Sequence, residues 1–180
     1  MLTFDEQRRL LAAARAVLEA RVRRSPEPAI DPVVAIESRH GAFVSIFRNG
    51  ELRGCLGRLT PELSLTGLIH HLARQVADSD PRFDAVRPEE LLEISVEISV
   101  LTPEREIGSV TEIEVGRHGL IVELGSRRGL LLPQVPTDHG WDRHAFLTHT
   151  CLKAGLAADA WLRGARLFVF EAQVFGEGDG

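Results

Sequence analysis

Ala42-Phe43-Val44-Ser45-Ile46-Phe47-Arg48-Asn49-Gly50-Glu51-Leu52-Arg53-Gly54-Cys55 is the stretch on which the fold turns. Asn-Gly is the favoured centre of a two-residue type I′ turn, because both residues tolerate positive φ, and the runs beside it are β-branched and aromatic. A two-residue loop sets the register of the hairpin. Phe47 is expected to face Leu52, Ile46 to face Arg53, Ser45 to face Gly54 and Val44 to face Cys55. In that register Arg53 and Cys55 share one face of their strand, and Gly54 leaves a gap on the other.

Upstream, Thr3 and Glu6 have capping-box spacing, and Leu10, Ala14, Val17 and Leu18 then recur on one helical face. The spacing predicts a helix from Phe4 to Val22, stopped by Ser25-Pro26-Glu27-Pro28, with Asp31-Pro32 closing a short linker. Downstream of the hairpin, Thr60-Pro61 reads as an N-cap and first helical position, and Leu63 to Asp78 carries apolar residues at helical spacing. Asp80-Pro81-Arg82-Phe83 reads as the helix stop, with a capping aspartate, and Pro88-Glu89-Glu90-Leu91 as a short turn. Ile94, Val96, Ile98 and Val100 alternate with Ser95, Glu97 and Ser99, the pattern of a half-buried strand. A second hairpin is expected to join Gly119–Leu124 to Gly129–Leu132 around Gly125-Ser126-Arg127, with Pro133 ending it. A helix is expected over Asp142 to Ala154 with Gly155 past its end, then one further turn over Ala157 to Leu162. A last strand over Arg166 to Phe175 is expected to be buried on both faces. With no internal repeat and no interior boundary, residues 1–180 read as one α+β domain, largely antiparallel, with room for a larger and a smaller lobe.

Composition narrows the function classes. The 180 residues are 44% hydrophobic and 26% charged, enough to bury a core without a disulfide or metal. Twenty-six acids against 21 bases leave a net charge of −5 and no basic face, which argues against nucleic-acid binding. No apolar stretch reaches the roughly 18–20 residues that span a bilayer. The N-terminus is acidic without an apolar core, so no signal peptide is expected, and a cytoplasmic location with free thiols follows. Tyrosine is absent, which removes phenolic acid–base chemistry. Two cysteines cannot build a four-thiolate zinc site or an ordinary iron–sulfur cluster. His139, His144 and His149 are spaced by five, out of phase with an i,i+4 ligand pair, and His70-His71 cannot both face inward. The seven histidines read as scattered and solvated, with no metal or cofactor expected.

At Leu52-Arg53-Gly54-Cys55-Leu56-Gly57 the chain resembles the AMMECR domain family, whose prokaryotic members are called AmmeMemoRadiSam system protein A. The likeness continues through Asp80-Pro81-Arg82-Phe83, Glu97-Ile98-Ser99-Val100-Leu101, His118-Gly119-Leu120 and Gly129-Leu130-Leu131-Leu132-Pro133-Gln134-Val135. It runs on through Gly140-Trp141-Asp142, Phe146-Leu147, Cys151, Lys153-Ala154-Gly155-Leu156 and Trp161, covering nearly the whole chain in order. His139 departs from the pattern, where an acidic residue is expected. The resemblance implies a single α+β unit of two lobes and association with a Memo-type protein and a radical S-adenosylmethionine protein. It names no reaction.

Chemistry concentrates in the Arg53-Gly54-Cys55-Leu56-Gly57 turn. A thiolate is the reactive form of cysteine, and a guanidinium or a helix N-terminus favours it. Arg53 shares the expected strand face, Arg58 follows, and Gly54 and Gly57 would admit a ligand or another backbone. A small buried cysteine in a tight turn accounts for the same residues. Glu97 is an acid on the polar side of its strand, expected to pair with Arg53 or Arg82 as the floor of a cleft or to lie on the surface. Arg82 is a candidate anion contact, and the amide of Gln134 a candidate ligand hydrogen bond. Cys151 reads as a core residue and Lys153 as a cation offsetting a helix C-terminus.

Two functions compete. One is a ligand-binding cleft lined by Arg53, Cys55, Arg82, Glu97 and Gln134 for a small anionic ligand, with Cys55 and Glu97 as candidate catalytic groups. The other is a non-enzymatic accessory protein working with the Memo-type and radical S-adenosylmethionine proteins. Whether the chain is an enzyme, and how it assembles, is left open at this level.

Overall fold

The computed structural model describes residues 1–31, 35–38, 40–59 and 62–178. Its first helix, α1 (Phe4–Arg23), starts where the sequence puts it. The Thr3 hydroxyl accepts from the Glu6 amide while the Glu6 carboxylate accepts from the Thr3 amide at 2.7 Å. It ends one residue past Val22, with Arg24 in the left-handed region at φ 54°. The hairpin follows as β1 (Ala42–Arg48) and β2 (Glu51–Arg58), joined through Asn49 and Gly50 at φ 52° and 83°.

The hairpin's register corrects the expectation one residue beyond the turn. Phe47 faces Leu52 as predicted, but Ile46 then faces Gly54, Ser45 faces Cys55 and Val44 faces Leu56. Arg53 is the extra residue of a bulge. Without it, an arginine would point beside buried Ile46 into the apolar core. The bulge expels the guanidinium and flips every later side chain of β2 to the other face. Gly54 therefore takes the core side and Cys55 the opposite side, the reverse of the two-residue-turn reading.

α2 (Leu65–Val76) is shorter at both ends than Leu63 to Asp78. The Ser64 hydroxyl accepts from the Gly67 amide and fixes the start. The expected cap at Thr60-Pro61 lies outside the described residues, as does Pro32 of the linker. After a 3-10 turn over Pro88–Glu90, β3 (Ile94–Leu101) alternates as predicted, with Val96, Ile98 and Val100 buried. β3 pairs antiparallel with β1, which puts Ser45 opposite Glu97.

The remaining elements are β4 (Arg105–Ile107), β5 (Gly119–Leu124), β6 (Arg127–Leu131), α3 (Gln134–Asp138), α4 (Arg143–Lys153), β7 (Arg166–Phe170) and β8 (Ala172–Gly176). β4 and α3 carry no periodic signal and are not anticipated. β5 and β6 are joined by Gly125-Ser126 alone, because Leu124 pairs directly with Arg127. The expected last strand is two strands: β7 is almost wholly buried, β8 is only partly so, and they belong to different sheets.

The chain divides into two compact units, Met1–Leu101 with the C-terminal residues from Gln173, and Thr102–Ala172. In the first, the sheet runs β2-β1-β3-β8, with α2 on β1 and β2, α1 on β3, and the two helices packed together. Leu18, Ile46, Leu65, Leu68, Ile69, Leu72 and Ile98 are among its most deeply buried large side chains. In the second, the sheet runs β4-β7-β5-β6 and α4 packs on β5 and β6 around Ile113, Leu120, Phe146 and Leu147. The registered pairings in both sheets are antiparallel, so the fold class is α+β. Among the described residues no helix is long and apolar enough to cross a membrane.

Candidate functional site

β2 is an outer strand of its sheet, so alternate peptide groups along its free edge need partners other than a strand. At Cys55 those partners come from the segment after α2. The Asp80 carboxylate accepts from the Cys55 amide at 2.9 Å, and Arg82 Nη2 donates to the Cys55 carbonyl at 3.1 Å. Arg82 also closes a two-pronged pair on Asp80, with Nε at 2.9 Å and Nη2 at 2.7 Å, and its own amide reaches the same carboxylate at 3.2 Å. The Asp80 side chain is 3% exposed. The hydrogen bond from Arg82 holds its carboxyl well below the usual carboxylate range; burial opposes this, and the amides of Cys55 and Arg82 reinforce it. Asp80-Pro81-Arg82-Phe83 therefore does more than stop a helix. It clamps one peptide of an edge strand.

A second buried carboxylate fixes the bulge. Arg53 donates to Glu90 at 3.0 and 3.2 Å and to the carbonyls of Asp84 and Ala85 at 2.9 and 3.4 Å. Glu90, 3% exposed, also accepts from Arg48 at 3.3 Å and from the Arg87 amide at 2.8 Å. Burial pushes the Glu90 carboxyl up, but the Arg53 hydrogen bond, the Arg87 amide and the charges of Arg53 and Arg48 outweigh it and leave the group below its ordinary value. The expected pairing of Glu97 with Arg53 or Arg82 is thus replaced by Glu90 and Asp80. The sequence reading missed both because a carboxylate in a turn is ordinarily solvated. Beside the clamp lies an open groove of about 510 Å³, bounded by Arg53, Arg82, Phe83, Asp84, Arg87 and Glu90.

On the face away from α2, the register lines up Cys55, Ser45 and Glu97 across three strands. Cys55 is half-buried and its thiol is free. Ser45 is 8% exposed. The Arg82 guanidinium is held above its ordinary value, chiefly by the hydrogen bond to Asp80, against burial, with the Cys55 thiol adding in the same direction; cation and sulfur are within interacting range. The glycines of the turn are packed against. A Cβ on Gly54 would stand 3.0 Å from Val76, so the expected gap is filled by α2, and one on Gly57 would stand 2.1 Å from the Phe43 ring. Ser45 was legible only with the bulge in place.

Gln134, the other expected ligand contact, is the exposed first residue of α3 in the second unit. Cys151 is sealed in that unit's core and burial pushes its thiol up, as a core role predicts. The histidines are not simply solvated. His139 and His149 stack on Trp141 with centroids 4.7 and 3.9 Å away, His144 meets Trp161 edge-on at 5.5 Å, and His70 is buried on α2. Five-residue spacing hid this, because a tryptophan between two histidines needs no helical phase. Among the described residues no three His, Cys, Asp or Glu side chains group as metal ligands.

A family model described as AMMECR1 matches residues 11–175. Protein Mbar_A1807 of Methanosarcina barkeri is 43% identical over 189 residues, covering 98% of this chain and 93% of that protein. Protein MK0488 of Methanopyrus kandleri is 42% identical over 190 residues, covering 98% and 90%. Among solved structures, the crystal structure of uncharacterized protein PH0010 from Pyrococcus horikoshii is similar at a TM-score of 0.80 and 39% identity, covering 98% of this chain and 93% of that one.

Proposed function

We propose that this chain, which belongs to the AMMECR1 family, binds a small ligand bearing an anionic group beside Cys55, with the thiol as pocket wall or reacting group. One observation carries the reading. The Cys55 peptide is pinned through both its amide and its carbonyl by the Asp80–Arg82 pair, while its side chain stays accessible next to a guanidinium. A strand edge could be closed more simply by a proline or a lysine; a buried carboxylate and an arginine fix one residue's position. Arg53 and Arg82 are engaged by Glu90 and Asp80, so the anion contact falls to what that pairing leaves of Arg82, whose side chain is 55% exposed and also interacts with the Cys55 thiol. Ser45 and Glu97 continue the polar row from Cys55.

Alkylation of the native protein by iodoacetate and by iodoacetamide tests this. Both reagents transfer a carbon to the thiolate and expel iodide, and they differ in charge. Labelling is expected at Cys55 and not at Cys151, with iodoacetate favoured several-fold over its preference on the urea-unfolded chain and Arg82→Ala abolishing that excess. Equal reagent preference in the native and unfolded chains sinks the anionic-ligand reading, and absence of native labelling at Cys55 sinks the site itself.

A second reading makes β2 a contact surface for Memo-type and radical S-adenosylmethionine proteins. The exposed Leu52 and Leu59 at its two ends favour it. Leu52→Glu/Leu59→Glu is then expected to remove those proteins from native pull-downs, and recovery equal to wild type rejects it.

A further inference from the structure

The outer strands of the two sheets are not finished alike. At β2 the Asp80–Arg82 pair covers the Cys55 peptide, β4 is only three residues long, and β6 carries Arg127 and Arg128. Short length, charge and covered peptides are ordinary means of keeping a sheet edge from pairing with another chain. β8, the remaining outer strand, reads Ala172-Gln173-Val174-Phe175-Gly176, with no charge and no proline. The Glu177 amide, just past it, donates inward to the Val96 carbonyl at 3.1 Å. Alternate peptide groups along a strand turn to opposite sides, so the Val174 peptide turns outward.

A groove of about 680 Å³ runs along that edge, and the residues that bound it all belong to the first unit. β8 bounds it with Val174, Phe175 and Gly176 in succession. Side chains of successive strand residues point to opposite faces, so a groove touching all three lies along the backbone edge. α1 packs on β3, and its Phe4, Arg8, Leu11 and Ala12 form the other wall at helical spacing. Phe4 is 66% and Val174 53% exposed, which leaves apolar surface open on both walls.

The polar groups around the groove are matched except at one position. Arg9 is engaged by Asp5, Arg15 by Glu177, and the Gln7 side-chain amide donates to the Leu2 carbonyl at 3.1 Å. Among the described residues Arg8 meets no carboxylate; its guanidinium lies over the Phe4 ring, 6.0 Å from the centroid. A guanidinium beside a bare strand edge complements a carboxylate carried on an extended chain.

We propose that β8 and α1 form a docking groove for an extended segment of a partner protein, aliphatic and acidic in composition. The segment adds a strand to β8 through its backbone, sets aliphatic side chains against Phe4, Leu11 and Val174, and places a carboxylate on Arg8. A second copy of this chain is the poorer occupant, because pairing β8 with itself brings another Arg8 to the same groove, like charge beside like.

Titration of the full ¹⁵N-labelled chain with a short capped peptide of alternating valine and threonine carrying one aspartate tests the proposal. Saturable shifts are expected at the amides of Arg8, Leu11 and Val174, with a Kd of about 0.5 mM or below. The same peptide with asparagine for aspartate should bind roughly fivefold more weakly, and Arg8→Gln should remove that preference. A peptide methylated on its backbone nitrogens should not bind, because the added strand loses its donors. Val174→Pro, which removes an outward amide at a position where an edge strand tolerates proline, should abolish binding of the unmethylated peptide. No saturable shift at β8 up to about 5 mM overturns the groove, and equal binding of the methylated peptide overturns strand addition. Equal wild-type affinities for the aspartate and asparagine peptides overturn the acidic partner. A chain that sediments as a dimer, with its β8 amides shifting on dilution, overturns the foreign segment in favour of a second copy. The wild-type titrations decide the matter even where a variant fails to fold.

Discussion

Cys151 sits in the second unit in an apolar cluster with Phe146, Leu147 and Ala160, whereas Cys55 sits in the first unit among ions. The scaffolds around them are built alike. Each sheet lays a phenylalanine ring over a cross-strand glycine, Phe43 over Gly57 and Phe170 over Gly119, at the same 2.1 Å from where a Cβ would stand. Ring-over-glycine packing orders a strand pair without any charge. The first unit nevertheless buries two carboxylates at β2, and desolvating an ion costs several kcal/mol that its pairing only offsets. Charge that is not needed to order a strand is spent on geometry. The difference teaches that β2 is held in position, whereas the second unit's core is merely filled.

The widest gap between the two regions should open at Glu90. Removing it leaves Arg53, 16% exposed, without its carboxylate partner, and Glu90→Ala is expected to cost about 3 kcal/mol in urea denaturation, the low end for a broken buried pair because Arg53 keeps its bonds to the Asp84 and Ala85 carbonyls. The double change Arg53→Met/Glu90→Leu removes both charges and should recover most of that loss. If the double variant is as unstable as the single one, the pair contributes packing rather than fixed geometry, and the contrast with the second unit collapses.

Asp80 sharpens the same contrast through pH. Asp80→Asn is expected to cost about 2 kcal/mol at neutral pH, because the charge-assisted bonds to Arg82 and the Cys55 amide weaken together. The folded-state pKa of Asp80 lies below its unfolded value, so its contribution is complete above the unfolded pKa near 3.9 and drains as pH falls toward the folded value. The stability difference between wild type and Asp80→Asn should therefore shrink below about pH 4 and be flat above about pH 5. A difference independent of pH would remove Asp80 as the ion that holds Cys55.

What the sequence discloses and what it conceals divide along the range of the forces involved. Thr3 with Glu6 and Asn49 with Gly50 act within four residues, and α1 and the hairpin turn appear where those residues place them. The Arg53 bulge is decided by Glu90, 37 residues away, so a register counted outward from the turn fails at the first residue that must avoid the core. With the register went the face of Cys55 and the row it forms with Ser45 and Glu97. Asp80 is visible as a helix stop, but its bond to Cys55 spans 25 residues and depends on where β2 ends up. The Arg166–Phe175 run is continuous in hydropathy, and only the fold reveals that Glu171 divides it between two sheets.

The smallest effect is the most discriminating, because it compares the two thiols by one change. Cys151→Ser places a hydroxyl where the residue is wholly buried, and an unsatisfied hydroxyl there would cost about 1–3 kcal/mol. The backbone amides of Ala160 and Trp161 lie close enough to bond the Cys151 sulfur, so a serine oxygen finds partial compensation and the cost should fall near 1 kcal/mol. Cys55→Ser exchanges a half-exposed thiol for a half-exposed hydroxyl, leaves the peptide clamp of Asp80 and Arg82 untouched, and should stay within about 0.5 kcal/mol of wild type. Urea melts of the two variants give the ordering. A Cys55→Ser loss equal to or larger than that of Cys151→Ser would mean that the Cys55 side chain, and not only its peptide, is part of the packing, and the open thiol proposed as a binding wall would then be a structural one.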